Sequence, residues 1–196
     1  MTRKDRTEGI YNRLEVLDES ERQQYNRIQL KDVLKYAYRY SEEAKKRFDR
    51  AQFDVNKFKD ISDIKHIPIL KKKELIFLQS MGPRLGGLLT KDLGKMRRVF
   101  LSPGPIFDPE DNVQDYWGWS EGFYAAGFRA GDVVQNCFNY HLNPAGLMFE
   151  EPLHNLDCAV VPAGPGNTNT QLEIMQKLRI TGYVGTASYL MHLGQK

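Results

Sequence analysis

The first hundred residues alternate between polar stretches and apolar positions at helical spacing. Leu30, Val33, Leu34, Ala37 and Tyr38 recur three and four apart and make one apolar face, which predicts a helix over 29–40. Ser41 follows as an N-cap, with Glu42 and Glu43 opening a second helix whose apolar positions are Ala44, Phe48 and Ala51. Ile67-Pro68 and the lysines behind it predict a turn into a short helix over 72–79. Pro83, Gly86 and Gly87 punctuate a loop or hairpin over 82–94, and residues 1–27 read as a polar arm with some helix.

From Met96 the pattern changes to short apolar runs between glycine and proline turns. Residues 99–101, 133–138, 158–162 and 182–185 read as strands. Between them, 111–126, 143–156 and 168–178 read as helices, and a last helix starts at Ser188 and is cut by the end of the chain. Strand and helix alternate, so the fold class is α/β: N-terminal helices, then a mostly parallel sheet with flanking helices. The division is a helical preamble over 1–95 and a partial βαβ subdomain over 96–196. The loops after Leu101, Phe138, Pro162 and Gly185 leave strand carboxyl ends and converge on one side, where open sheets of this kind bind ligands.

Composition removes several classes of function. At 196 residues, 41% hydrophobic and 27% charged, the chain suits a globular domain with a sizeable core. Lys and Arg outnumber Asp and Glu by 25 to 20 up to Arg129, then fall to 3 against 5. The basic residues interleave with acids on helix faces, a pattern of solvated surface rather than of a nucleic-acid stripe. No apolar leader or membrane span is present, and Cys137 and Cys158 are too few for a disulfide framework or a four-Cys zinc site. The expectation is a cytoplasmic protein with two buried thiols and no metal site of its own.

Four loops carry candidate chemistry. Ser102 to Pro109 is a glycine-containing loop of the kind that cradles phosphate, yet prolines lack N–H donors and Asp108 repels anions, so a rigid turn is the competing reading. Phe138, Tyr140, His141 and Asn143 leave a strand end together, either as a pocket for a flat apolar acid or as core aromatics with a capping Asn143. Gly164, Gly166 and Asn167 allow close approach of a ligand to backbone, or form a tight turn capped by Asn167 or Thr168. Gly185 to Tyr189 is a pocket wall or the cap of the last helix, through Ser188 or Thr186.

In this order the loops resemble the phenylacetate–CoA ligase branch of the adenylate-forming (AMP-binding) superfamily. The resemblance runs from about Leu17 to the end: 34–38 through Phe48 and Ile67-Pro68, then 127–136, then Pro162 through Thr168 with Gln171-Leu172, then Gly185 through Tyr189. It implies an ATP-dependent ligase: a carboxylate attacks the α-phosphate of ATP-Mg, and CoA thiolate displaces AMP from the acyl-adenylate. It places a phosphate-loop remnant at Ser102, Gly104 and Pro109, and an acyl pocket at Phe138, Tyr140, His141, Asn143, Gly164, Gly166 and Asn167. It implies an aromatic carboxylic acid, ATP and CoA as partners. The departures are Pro105 and Ile106 where Thr is usual, Phe107 for a Gly, Asp108 for a Lys, and Asn143 for an apolar residue. The family's adenine, ribose and magnesium ligands and its mobile C-terminal domain lie further along. The resemblance therefore implies a truncated piece with no catalytic residue in this chain, inactive alone, that self-associates through an exposed sheet edge. The alternative is a non-catalytic binding protein on a degenerate ligase scaffold.

Overall fold

Residues 6–195 are described by a computed structural model, in which the chain divides into two compact units. The first five residues of the predicted polar arm, and Lys196, lie outside the described residues. The helical unit comprises Val16–Val99 and Pro103–Asp111; the sheet unit comprises the described residues up to Glu15, Phe100–Ser102 and the chain from Asn112 onward.

In the helical unit, α1 (Glu19–Tyr40) starts earlier than apolar spacing predicts. Its first turns are polar all round, so the start is set by a capping box: Asp18 accepts from the Glu21 N–H and Glu21 accepts from that of Asp18. Next comes α2 (Glu42–Arg50), capped as expected by Ser41, whose hydroxyl accepts the Ala44 N–H at 3.2 Å and donates to the Gly87 carbonyl. Leu34, Phe48, Val55 and Phe58 are buried together beneath these helices. The predicted third helix is α3 (Lys72–Met81), joined to α2 by an Arg47–Glu74 pair at 2.5 Å. The predicted loop over 82–94 contains a 3-10 turn at Arg84–Gly87 and runs into a second at Leu93–Lys95.

Two strands, β1 (Arg98–Ser102) and β2 (Ile106–Glu110), make a two-stranded sheet, and the boundary between the units crosses β1 after Val99. The predicted first strand is therefore not part of the parallel sheet, and 102–109 does not lead into a helix. Its three prolines hide the strand pattern, but a two-stranded ribbon has only edges, where Pro109 is tolerated.

The sheet unit is a parallel sheet of order β4-β3-β5, with β3 (Val133–Asn136) between β4 (Ala159–Pro162) and β5 (Gly182–Val184). The βαβ reading holds here: α5 (Ala145–Asn155) links β3 to β4, and α6 (Thr168–Leu178) links β4 to β5. Val134, Leu153, Leu156, Cys158 and Val184 form the core, flanked by Phe123, Phe128 and Phe149. The predicted 111–126 helix shrinks to α4 (Ser120–Ala125). Positive φ at Asp115 and Gly118 breaks its first half, and the Asp115 carboxylate accepts the N–H groups of Trp119 and Ser120 to start the helix late. The final helix, α7 (Ala187–Gly194), is capped by Thr186, which accepts from the Tyr189 N–H, and closes at Gln195.

At the amino end of β3, the Arg6 guanidinium grips both oxygens of Asp132 at 2.8 Å, and Thr181 and the Arg129 N–H bond the same carboxylate. Asp132 is 3% exposed, and these donors, Arg6 first, hold its carboxyl down at about 2.

Candidate ligand-binding site

At the other end of β3, four consecutive buried residues, Val134, Gln135, Asn136 and Cys137, alternate faces of the sheet. The two amides organise the loops that follow. The Asn136 side chain donates to the Tyr140 hydroxyl and to the Gly146 carbonyl, both at 2.8 Å, and its backbone carbonyl accepts the Gly164 N–H at 3.0 Å. On the opposite face, Gln171 from α6 donates to the carbonyls of Gly164 at 2.8 Å and Gly166 at 2.7 Å. The Gln171 amide oxygen accepts from Gln135 at 2.8 Å and from the Cys137 thiol at 2.9 Å. Burial raises the Cys137 thiol, so it stays protonated and serves as a donor.

The predicted pocket residues divide accordingly. Phe138 is half-buried against Phe149, with ring centroids 4.8 Å apart. The Tyr140 ring packs against Gly146, where an added Cβ would come within 2.7 Å of it, so glycine fits without a shift of the ring. Burial, with Glu150 beside the hydroxyl, keeps the Tyr140 phenol far above its ordinary range and neutral. Gly164 and Gly166, both at positive φ, have open space on their Cβ side. Asn167 holds the left-handed N-cap position of α6 without a side-chain cap bond, so the expected capping role of Asn167 or Thr168 is not observed. Tyr189 at the start of α7 donates to the Gly166 carbonyl at 2.8 Å, which joins the fourth predicted loop to the third. The end of β1 reaches the aromatic loop too, since the Leu101 N–H donates to the Leu142 carbonyl at 2.9 Å.

Two predicted members stand apart. His141 is exposed, its N–H held by the Asn139 side chain. Asn143 accepts the Ala145 N–H at 2.8 Å, a local turn bond one residue before Pro144, which is the N-cap of α5 and has no side-chain cap bond, so the capping role weighed for Asn143 is not observed. Asn136, Gln171 and Glu150 are not among the site residues that the sequence suggests. The signal available was two adjacent amides, Gln135-Asn136, inside the apolar run 133–138.

The phosphate-loop residues also divide. Ser102 closes β1 in the sheet unit, whereas Gly104 and Pro109 belong to the helical unit. There the Gly104 turn lies against α3: the Lys72 ammonium stands 3.6 Å from where a Gly104 Cβ would be. Among the described residues, no three His, Cys, Asp or Glu side chains come together as a metal site, and no helix is long and apolar enough to cross a membrane.

No family model matches the chain. The phenylacetate–coenzyme A ligase of Aromatoleum evansii is 24% identical over 188 residues, covering 91% of this chain and 42% of that protein. The Thermus thermophilus enzyme of the same name is 26% identical over 190 residues, covering 93% of this chain and 42% of that protein. Among solved structures, 2-hydroxyisobutyryl-CoA ligase with an acyl-AMP ligand superposes with a TM-score of 0.87 at 19% identity, over 93% of this chain and 40% of that one. The same ligase bound to 2-HIB-AMP and CoA superposes with a TM-score of 0.85. The chain spans about two-fifths of the length of the relatives it matches. In sequence the chain is similar to part of the phenylacetate–coenzyme A ligases, and it shares the fold of about two-fifths of 2-hydroxyisobutyryl-CoA ligase.

Proposed function

We propose that the sheet unit holds the carboxylic-acid side of an ATP-dependent acyl-CoA ligase site, with an aromatic acid as substrate. The observation that carries this reading is the tethering of two loops at one strand end: Asn136 holds Tyr140 and Gly164, and Gln171 holds Gly164 and Gly166. Phe138 and Tyr140 supply flat apolar walls, and the open glycine backbone of Gly164 and Gly166 lets a ligand lie against the main chain. His141 and Asn143 contribute to the loop's shape rather than to its walls.

ATP, with magnesium carried on its phosphates, activates the acid as an acyl-adenylate, and CoA is the acceptor. The residues present fit a phosphate group: Gly104 allows close approach at the turn, and Lys72 supplies from α3 the positive charge that Asp108 does not. The alternative, a non-catalytic binding protein on a ligase scaffold, is favoured by Pro103 and Pro105, which remove N–H donors on both sides of Gly104. Buried free thiols at Cys137 and Cys158 suit a cytoplasmic location.

Calorimetric titration with phenylacetate, then with ATP-Mg, tests the reading. Binding of the acid that is lost in Tyr140→Ala and kept in His141→Ala supports it. A folded chain that binds neither ligand refutes it.

A further inference from the structure

Asn136 is 0% exposed, and all its polar groups are committed. Its amide nitrogen donates to the Tyr140 hydroxyl and the Gly146 carbonyl, both at 2.8 Å, and its amide oxygen accepts the Phe138 N–H at 3.1 Å. A flipped amide would set oxygen against a carbonyl and N–H against N–H, so these partners fix its orientation. The Tyr140 ring is thus held at two places: it packs against Gly146, and its hydroxyl is bonded by Asn136 beside Glu150. The Asn136 bond ties the hydroxyl to the central strand.

We infer that Asn136 is a specificity-determining positioning residue: its bond to the Tyr140 hydroxyl fixes where the aromatic wall stands, and so which acids fit beside it. The inference rests on the acid-pocket reading above. It extends that reading by placing the control of acid size on a residue that touches no ligand. A ring that has lost the Asn136 bond keeps its contact with Gly146 and Glu150 on α5 but loses its tie to β3, so it shifts with the helix side of the pocket and no longer excludes bulkier acids. Breaking the bond therefore changes discrimination between acids more than it changes folding.

The test is a double-substitution cycle on the full chain, with phenylacetate and the bulkier 1-naphthylacetate titrated into Asn136→Ala, Tyr140→Phe and the pair together. Each single substitution is expected to lower the preference for phenylacetate by about tenfold, the size of one lost buried hydrogen bond. In the preference between acids the pair is expected to lose no more than the larger single loss, because the Asn136–Tyr140 bond is the interaction that both substitutions remove. A tenfold loss for each with a hundredfold loss for the pair would show two separate effects and overturn the inference, as would an unchanged preference in both singles. If Asn136→Ala does not fold, Tyr140→Phe leaves β3 intact, and its preference must still fall. Failure of the unsubstituted chain to bind either acid overturns the pocket reading. In that event the ligand-free 13Cζ resonance of Tyr140 decides the positioning claim, which falls if Tyr140 is unmoved by Asn136→Ala.

Discussion

Asp132→Asn is the substitution whose cost the structure sets most directly. The side chain is near-isosteric, so packing is kept while the charge is removed. The Asp132 carboxyl is held at about 2 against an ordinary 3.8, and each tenfold change in proton affinity is worth ~1.4 kcal/mol, so the charged form contributes about 2 kcal/mol to stability at neutral pH. Asp132 is almost fully buried, so screening takes little of this, whereas the Arg6 side chain is 32% exposed and can be rehydrated when its partner is lost. The loss should therefore stay near ~2 kcal/mol rather than the ~3–5 kcal/mol of a fully buried broken pair. The folded-state value is depressed, so the contribution is complete above pH ~4 and disappears as pH falls from 3.8 toward about 2. Both tryptophans, Trp117 and Trp119, lie in the sheet unit, so their fluorescence in urea reports this unit specifically. The gap between the two proteins should be about 2 kcal/mol at pH 7 and roughly half that at pH 3. A gap of equal size at both pH values would assign the cost to shape rather than charge, and no gap at pH 7 would refute the clamp.

Gly146→Ala should lower stability by about 1–2 kcal/mol in the same titration, since overpacking against the Tyr140 ring exceeds the helix-propensity gain; an unchanged or raised midpoint would show that the ring yields. Lys72→Glu should weaken ATP binding several-fold by calorimetry while leaving aryl-acid affinity unchanged, and equal ATP affinity would remove Lys72 from the phosphate turn. Ser41→Ala should cost about 1 kcal/mol at the start of α2, read by far-ultraviolet circular dichroism on heating. Strands β4 and β5 are the two edges of the parallel sheet, and Leu178 and Met191 are 52% and 67% exposed in the same unit, so light scattering should show self-association; a monodisperse monomer at high concentration would contradict it.

The parts of the fold that were legible in sequence are those in which local chemistry and final packing agree. Ser41 caps a helix because its hydroxyl satisfies an adjacent N–H, and the 168–178 helix carries its own period. Errors arose where a single residue overrules a pattern. Asp115 and Gly118, both at positive φ, cancel half of a helix that apolar spacing supports, and proline spacing disguises β2. The site divided along the same line. Aromatics and glycines suggest a pocket by their type, so Phe138, Tyr140, Gly164 and Gly166 stand out as candidates in the sequence. Asn136 and Gln171 do not, because an amide reads alike whether it faces water or bridges two loops, and only the partner distances distinguish the two.

The anchoring of both loops from the strand and from α6, rather than from the loops' own tips, bears on how such a site diversifies. Leu142 at the tip of the aromatic loop is 59% exposed, so substitution there meets little resistance from the core, whereas Gly164 and Gly166 flank open space but sit at positive φ, where a side chain strains the backbone. Mutation can sample new tip residues while the buried amides keep the loop bases in register. Change at the exposed tip of the aromatic loop is thereby separated from the buried bonds that hold the loop bases.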